Sequence, residues 1–273
     1  MSVVWCNGAI VDQLSLDPAD RGLLLGDGVF ETIAVRHARP VWLADHLKRM
    51  AEAARELGLT FDRATINRAI TSTLQKSQSE SEVLRITLTR GPTPRGFSAQ
   101  GTMPGVIVSL NPLDRNSQPK AIRLATSQIR RNQTAPSSRL KTLSYIDEIA
   151  AAREVAARAD DALMLNTKGN VASTTIANIF LLMGKSLITP SADQAILQGI
   201  ARQKLLHGAS QIELHAEARV ILIEEIYAAD CVFVTNSLRL ATPVLALDGR
   251  PCGTRDISFI QDYYESLSKG EPT

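Results

Sequence analysis

The sequence predicts an α+β protein of two domains. β-type and helical apolar patterns mix along the chain without a regular βαβ period, which argues for an α+β fold or irregular barrel over a doubly wound sheet. Residues 111–120, NPLDRNSQPK, are polar with a proline near each end and read as a linker. The expected division is an N-terminal α/β domain over 1–112, a linker over 113–120 and a larger C-terminal domain over 121–273. With 273 residues, 44% apolar and 21% charged, the chain can fill two cores and has ordinary globular composition.

The first hundred residues read as strands, two amphipathic helices and two more strands. Asp45 is the expected N-cap of the first helix: Leu47, Met50, Ala51, Ala54 and Leu57 follow at helical spacing, and Gly58 stands where a C-cap glycine would. A second helix is expected over 62–75, with Ile66, Ile70 and Leu74 as its stripe. Val83, Leu84, Ile86 and Leu88 form a β-type run, and Val106, Ile107 and Val108 another. The loop between them is rich in Gly, Pro and Arg. Beyond the linker, strands are expected at 122–126, 162–165, 179–183 and 232–235, and helices near 145–157 and 199–206.

Several function classes are disfavoured. The formal charge is +2 and no basic run exceeds Arg130-Arg131, too little for a nucleic-acid surface. The N-terminus lacks a basic segment followed by an apolar one, and no apolar stretch approaches the roughly 20 residues of a membrane helix. A cytoplasmic protein without a membrane partner is expected. Cys6, Cys231 and Cys252 are too scattered for a disulfide framework or a zinc site, and the four histidines form no metal motif. No metal is expected.

Lys141, in LKTLSY, follows a strand-like run and precedes a helix. Its plainest reading is a solvated charge; its functional reading is an amine desolvated enough to attack an aldehyde and form a Schiff base. Its company decides between them. In order along the chain come GDGVFET from Gly26, HLKR from His46, LKTLSY, GNVASTTIANIF from Gly169, Thr189-Pro190, GIAR from Gly199, and FVTNS from Phe233 with Pro243-Val244.

Together these segments resemble the fold-type IV pyridoxal-phosphate enzymes, which include branched-chain and D-amino-acid aminotransferases and aminodeoxychorismate lyases. The resemblance runs from about residue 7 to about residue 245. It implies a small N-terminal α/β domain, a larger C-terminal pseudo-barrel domain, and a homodimer whose active site lies at the domain junction. It also implies pyridoxal 5'-phosphate on Lys141, which doubles as the base for the substrate's α-proton. By the same resemblance Arg49, the backbone of Ile200 and Ala201, and Ser237 bind the phosphate, a dianion suited to cations, hydroxyls and helix N-terminal amides. Tyr145 matches a phenol that bonds the cofactor's ring oxygen. Arg95 matches a substrate-loop arginine, a natural carboxylate clamp, and Phe30 lies with it on the substrate side. Taken singly, Arg49 reads as a helix surface charge, Ser237 as a turn residue and Tyr145 as a packing residue.

The chain departs from the family pattern at Ser173, where most members place the glutamate that faces the pyridine nitrogen. A carboxylate keeps that nitrogen protonated and deepens the electron sink; a hydroxyl does so less well. Transamination should suffer more than elimination. Ala201 also lacks the usual hydroxyl. These departures and the TNSL segment favour 4-amino-4-deoxychorismate lyase, yielding 4-aminobenzoate and pyruvate; Tyr145 and DALMLN favour an aminotransferase for D-amino or branched-chain acids. A third reading is a catalytically degenerate protein that only binds the cofactor.

Overall fold

The computed structural model describes residues 3–97, 103–114 and 120–269. The chain divides into two compact units: Met1–Ser117 with Leu140–Ser144, and Gln118–Arg139 with Tyr145–Pro272. Of the expected linker, residues 115–119 lie outside the described residues. One assignment needs correction: a linear split gives residues 140–144 to the second domain, yet they pack with the first. The reason is a sheet edge, described below.

The first unit runs β1 (Val3–Cys6), β2 (Ala9–Val11), α1 (Arg21–Leu25), β3 (Gly28–Arg36), β4 (Arg39–Pro40), α2 (Leu43–Glu56), α3 (Arg63–Leu74), β5 (Ser81–Thr89) and β6 (Val106–Pro112). Its six strands form an antiparallel sheet in the order β2-β1-β6-β5-β3-β4. Alternate residues Leu84, Ile86 and Leu88 of β5 point into one core with Ile33, Val108, and Leu47, Met50, Ile66 and Ile70 of the helices. α2 begins two residues before the expected cap: Trp42 takes the N-cap position with φ 56°, and Asp45 sits in the first turn, where its charge meets the helix dipole. Gly58, at φ 62°, follows the C-cap as expected. Asp62 caps α3 through Ala64 N at 3.0 Å.

β4 covers only the end of β3, pairing with Val35 and Arg36. The opening residues of β3 therefore present an unpaired edge, whose polar groups must find partners when buried. Residues 140–144 supply them. Phe30 N donates to Lys141 O at 3.0 Å and Leu143 N to Gly28 O at 2.9 Å, with a bridge between Val29 and Thr142. Gly28 permits this approach, because a Cβ there would lie 2.5 Å from Leu88 O and 2.7 Å from Leu143 Cδ1.

The second unit runs β7 (Ile122–Thr126), α4 (Pro136–Arg139), α5 (Ile146–Val155), β8 (Asp161–Leu165), β9 (Val171–Thr174), β10 (Asn178–Met183), β11 (Ser186–Pro190), α6 (Ile200–Gly208), β12 (His215–Arg219), α7 (Ile223–Ala228), β13 (Cys231–Asn236), β14 (Leu240–Leu247), β15 (Arg250–Pro251) and α8 (Ser258–Lys269). Its sheet closes on itself: the path β10-β13-β14-β7-β8-β9 returns to β10 through the pair Ser173 and Asn178. Alternate residues of these strands, among them Leu163, Ile179, Leu181, Val232 and Val234, form one apolar core. α5 covers Ala162 and Met164 with Ala151 and Val155. The expected helices near 145–157 and 199–206 appear as α5 and α6 with ends shifted by one or two residues.

Candidate active site

Of the expected site residues, Lys141, Phe30, Arg49 and Arg95 belong to the first unit. The pairing of residues 141–143 with β3 brings Lys141 Nζ 4.4 Å from the centroid of the Phe30 ring. The same ring carries a second cation, with the Arg85 guanidinium carbon 3.8 Å from its centroid. Register explains this: Thr32 faces Arg85 and Phe30 faces Thr87 across the β3–β5 ladder, so Phe30 and Arg85 share one face of the sheet. Sequence reasoning gave Arg85 no role. Its signal was a charge at an alternate position of an apolar strand.

On the opposite face Glu31 is fully buried beneath α2. Arg49 forks onto it, Nε to Oε1 at 2.8 Å and Nη2 to Oε2 at 2.6 Å, and His46 Nδ1 lies 2.6 Å from Oε2. Burial would raise the Glu31 carboxyl, but the Arg49 charge and the hydrogen bonds from His46 and Arg49 hold it down to about 2. Burial lowers the His46 pKa, and the Arg49 and Lys141 charges add to that, against the opposing bond to Glu31. The carboxylate can only accept, so His46 Nδ1–H donates to Glu31, and burial works against a charge on the ring. Its buried Nε2 has no hydrogen-bond partner. Arg49 is thus held by an anion of its own chain, which the sequence pattern did not foretell. Glu31 and His46 stood inside the recognised segments without a role.

Arg95 is exposed, in the loop between β5 and β6. Arg21 anchors that loop, with Nη1 donating to Gly96 O at 2.5 Å while Nε bonds Asp27 at 2.8 Å.

Tyr145, Ser173, Ile200, Ala201 and Ser237 belong to the second unit. Tyr145 is half-buried at the N-cap of α5. Ser173, on β9, is buried, and its hydroxyl donates to Thr174 O at 2.9 Å. With its proton so committed, the oxygen has only lone pairs to offer a further partner. Ser237 stands in the β13–β14 turn, which Asn236 Oδ1 shapes by accepting from Leu238 N at 3.0 Å and Arg239 N at 2.9 Å.

Ile200 and Ala201 open α6. Gly199 is the N-cap, no side chain caps the helix, and its first turn carries no acidic residue. The first-turn amides suit an anion. Asn178 hooks the approach on both sides, with Nδ2 donating to Leu197 O at 2.8 Å and Oδ1 accepting from Gly199 N at 3.2 Å. A Cβ at Gly199 would lie 2.2 Å from that oxygen, so only glycine fits the hook. Arg202, in the same first turn, is buried. Burial pushes its guanidinium down to about 10, Nη2 donates to Pro190 O at 2.8 Å, and Nε has no partner. Uncapped amides and a buried cation make a donor set that fits a phosphate dianion.

The profile of the amino-transferase class IV family matches residues 28–247. The chain belongs to this family. Its aminodeoxychorismate lyase relative from Bacillus subtilis is 28% identical over 257 residues, 90% of this chain and 87% of the relative. A Legionella pneumophila structure provisionally assigned as a 4-amino-4-deoxychorismate lyase superposes with a TM-score of 0.87 at 30% identity, covering 95% of this chain and 97% of that one. The T.th. branched-chain amino acid aminotransferase, complexed with N-(5'-phosphopyridoxyl)-L-glutamate, gives 0.88 at 25% identity, covering 99% and 95%.

This class IV enzyme is therefore similar to lyases and transaminases alike. Among the described residues no cluster of His, Cys, Asp and Glu could hold a metal ion, and no helix is long and apolar enough to cross a membrane.

Proposed function

We propose that this enzyme binds pyridoxal phosphate covalently through Lys141 Nζ and converts 4-amino-4-deoxychorismate into 4-aminobenzoate and pyruvate. Ser173 carries this reading: a buried hydroxyl, its proton committed to Thr174 O, stands where most of the family has a carboxylate. Such a group holds a proton on the pyridine nitrogen less firmly, which handicaps transamination more than elimination. The cofactor, when bound, supplies an aldehyde that captures the substrate amine and a ring that accepts electrons from its α C–H bond.

The chain's own residues do the rest. Lys141 Nζ would take the substrate's α-proton and return a proton to the departing enolpyruvyl group, so that pyruvate leaves as the substrate's own ring becomes aromatic. The amides of Ile200 and Ala201, the Ser237 hydroxyl and the Arg49 guanidinium bind the phosphate. Tyr145 bonds the ring oxygen and Ser173 faces the ring nitrogen. Arg85, stacked on the Phe30 ring, and Arg95 hold the substrate's carboxylates. The enzyme works as a cytoplasmic homodimer; Leu23, Leu24 and Leu25, 51% to 61% exposed on α1, support a partner surface.

A second reading, an aminotransferase for D-amino or branched-chain acids, draws on Arg85 and Lys141 flanking one aromatic ring, an arrangement that suits any amino acid substrate. The test offers the purified protein 4-amino-4-deoxychorismate and, separately, D- and L-amino acids with 2-oxoglutarate. Release of 4-aminobenzoate supports the lyase, and glutamate formation alone replaces it with the aminotransferase. A cofactor absorbance that borohydride abolishes, without turnover of any substrate, would leave a protein that only binds the cofactor.

A further inference from the structure

Arg131 joins three segments that the proposed reaction uses separately. It is 7% exposed, and each of its donors reaches a different stretch of chain. Nη2 donates to Ser138 O at 2.6 Å, Nη1 to Glu148 Oε1 at 2.8 Å and Nε to Ala195 O at 2.7 Å. Ser138 lies in α4, two residues before the segment 140–144 that carries Lys141. Glu148 lies in the first turn of α5, where the chain returns after that segment. One guanidinium thus pins the chain on both sides of the lysine.

Its third arm fixes the approach to α6. Ala195 adopts the left-handed region at φ 63°, unusual for a residue with a Cβ, and its carbonyl is held by Arg131. Gln194 beside it accepts from Asn166 Nδ2 at 2.9 Å and Asn170 Nδ2 at 3.1 Å, and Asn178 fixes residues 197 and 199 further on. The loop that delivers the first-turn amides of α6 is therefore tied down along its length. Arg131 ties it to the flanks of the lysine segment.

We infer that Arg131 is a positioning residue that holds the flanks of the lysine segment and the α6 approach in one frame, so that the first-turn amides of α6 stand ready for the cofactor's phosphate. The inference rests on the proposed cofactor chemistry. A lysine keeps the charge against Glu148 but, as a point donor, cannot span three acceptors set in a plane.

The experiment compares wild type, Arg131→Lys and Glu148→Gln by hydrogen exchange on the full-length protein as purified, by pyridoxal phosphate titration, and by the pH midpoint of the cofactor band. In Arg131→Lys, amides at 138–148 and at 194–201 should both exchange faster. Cofactor affinity should fall about 10- to 100-fold, as loss of charge-assisted contacts predicts, and the band midpoint should move. Glu148→Gln should loosen 138–148 alone. Wild-type exchange at both segments in Arg131→Lys overturns the inference. So does a lower melting temperature with affinity and midpoint unchanged, which would make Arg131 a packing residue. If wild type takes up no cofactor, the proposed function falls, whereas the exchange comparison still decides whether Arg131 ties the two segments.

Discussion

Glu31 and Arg49 meet through two hydrogen bonds of 2.8 and 2.6 Å, with the carboxylate fully buried and the arginine reaching it from α2. Removing one side of a buried pair leaves the other uncompensated, so Glu31→Gln should cost about 3–5 kcal/mol in denaturant unfolding. A loss below about 1 kcal/mol would mean that the pair is not maintained in solution.

The same cluster sets a pH dependence. Both His46 and Glu31 have folded pKa values below their ordinary ones of 6.5 and 4.5, so below these values the unfolded chain binds more protons than the folded one. Stability should therefore begin to fall as pH drops below 6.5, through His46, and fall further from 4.5 toward about 2, through Glu31. His46→Asn keeps a donor toward Glu31 and removes the upper titration. Its melting temperature should fall less steeply than that of wild type as pH drops below 6.5. Parallel curves would assign the upper window to another group.

Gly199→Ala drives a Cβ against Asn178 Oδ1, and Asn178→Ala removes both arms of the hook. Each should weaken pyridoxal phosphate retention by about 1–3 kcal/mol. The two losses should not add, because the alanine at 178 takes away the atom that the new methyl strikes. Strict additivity in equilibrium titrations would show that the two residues do not act through one contact.

Ser173→Glu tests the branch of chemistry. A carboxylate at the ring nitrogen should raise the transamination half-reaction severalfold from a low level and change elimination less. A glutamate that merely fills a buried strand position would instead lower the melting temperature and leave the cofactor spectrum and both rates unchanged. That second pattern would remove Ser173 from the site.

Arg85→Gln keeps most of the side chain's bulk over Phe30 and loses its charge. For a carboxylate-bearing substrate, kcat/KM should fall about 10- to 100-fold, while an amine without a carboxylate should react as with wild type. Equal losses for both would reassign Arg85 to sheet packing.

Much of this molecule is legible in one dimension. Leu84, Ile86 and Leu88 alternate because one face of β5 is buried, and Leu47, Met50 and Ala54 recur at helical spacing because one stripe of α2 is. Gly58 marks where α2 stops, since a left-handed backbone there favours a residue without a Cβ. The ordered segments around Lys141 were enough to name the family. The cap of α2 stands at Trp42, three residues before Asp45, because Asp45 serves the first turn as readily as the cap.

What the sequence determined alone is the local pattern of burial, the places where it breaks, and the residue types that fold-type IV chemistry requires. The tertiary structure decided that residues 140–144 complete the open edge of β3, that Arg49 is held by Glu31, and that the second sheet closes where Ser173 meets Asn178. It also decided that Arg131 spans Ser138, Glu148 and Ala195. Periodicity reports which side of an element is covered, not by what. Strand-edge pairing and the partners of a buried charge depend on groups far apart in the chain, and only the folded backbone brings their donors and acceptors within reach.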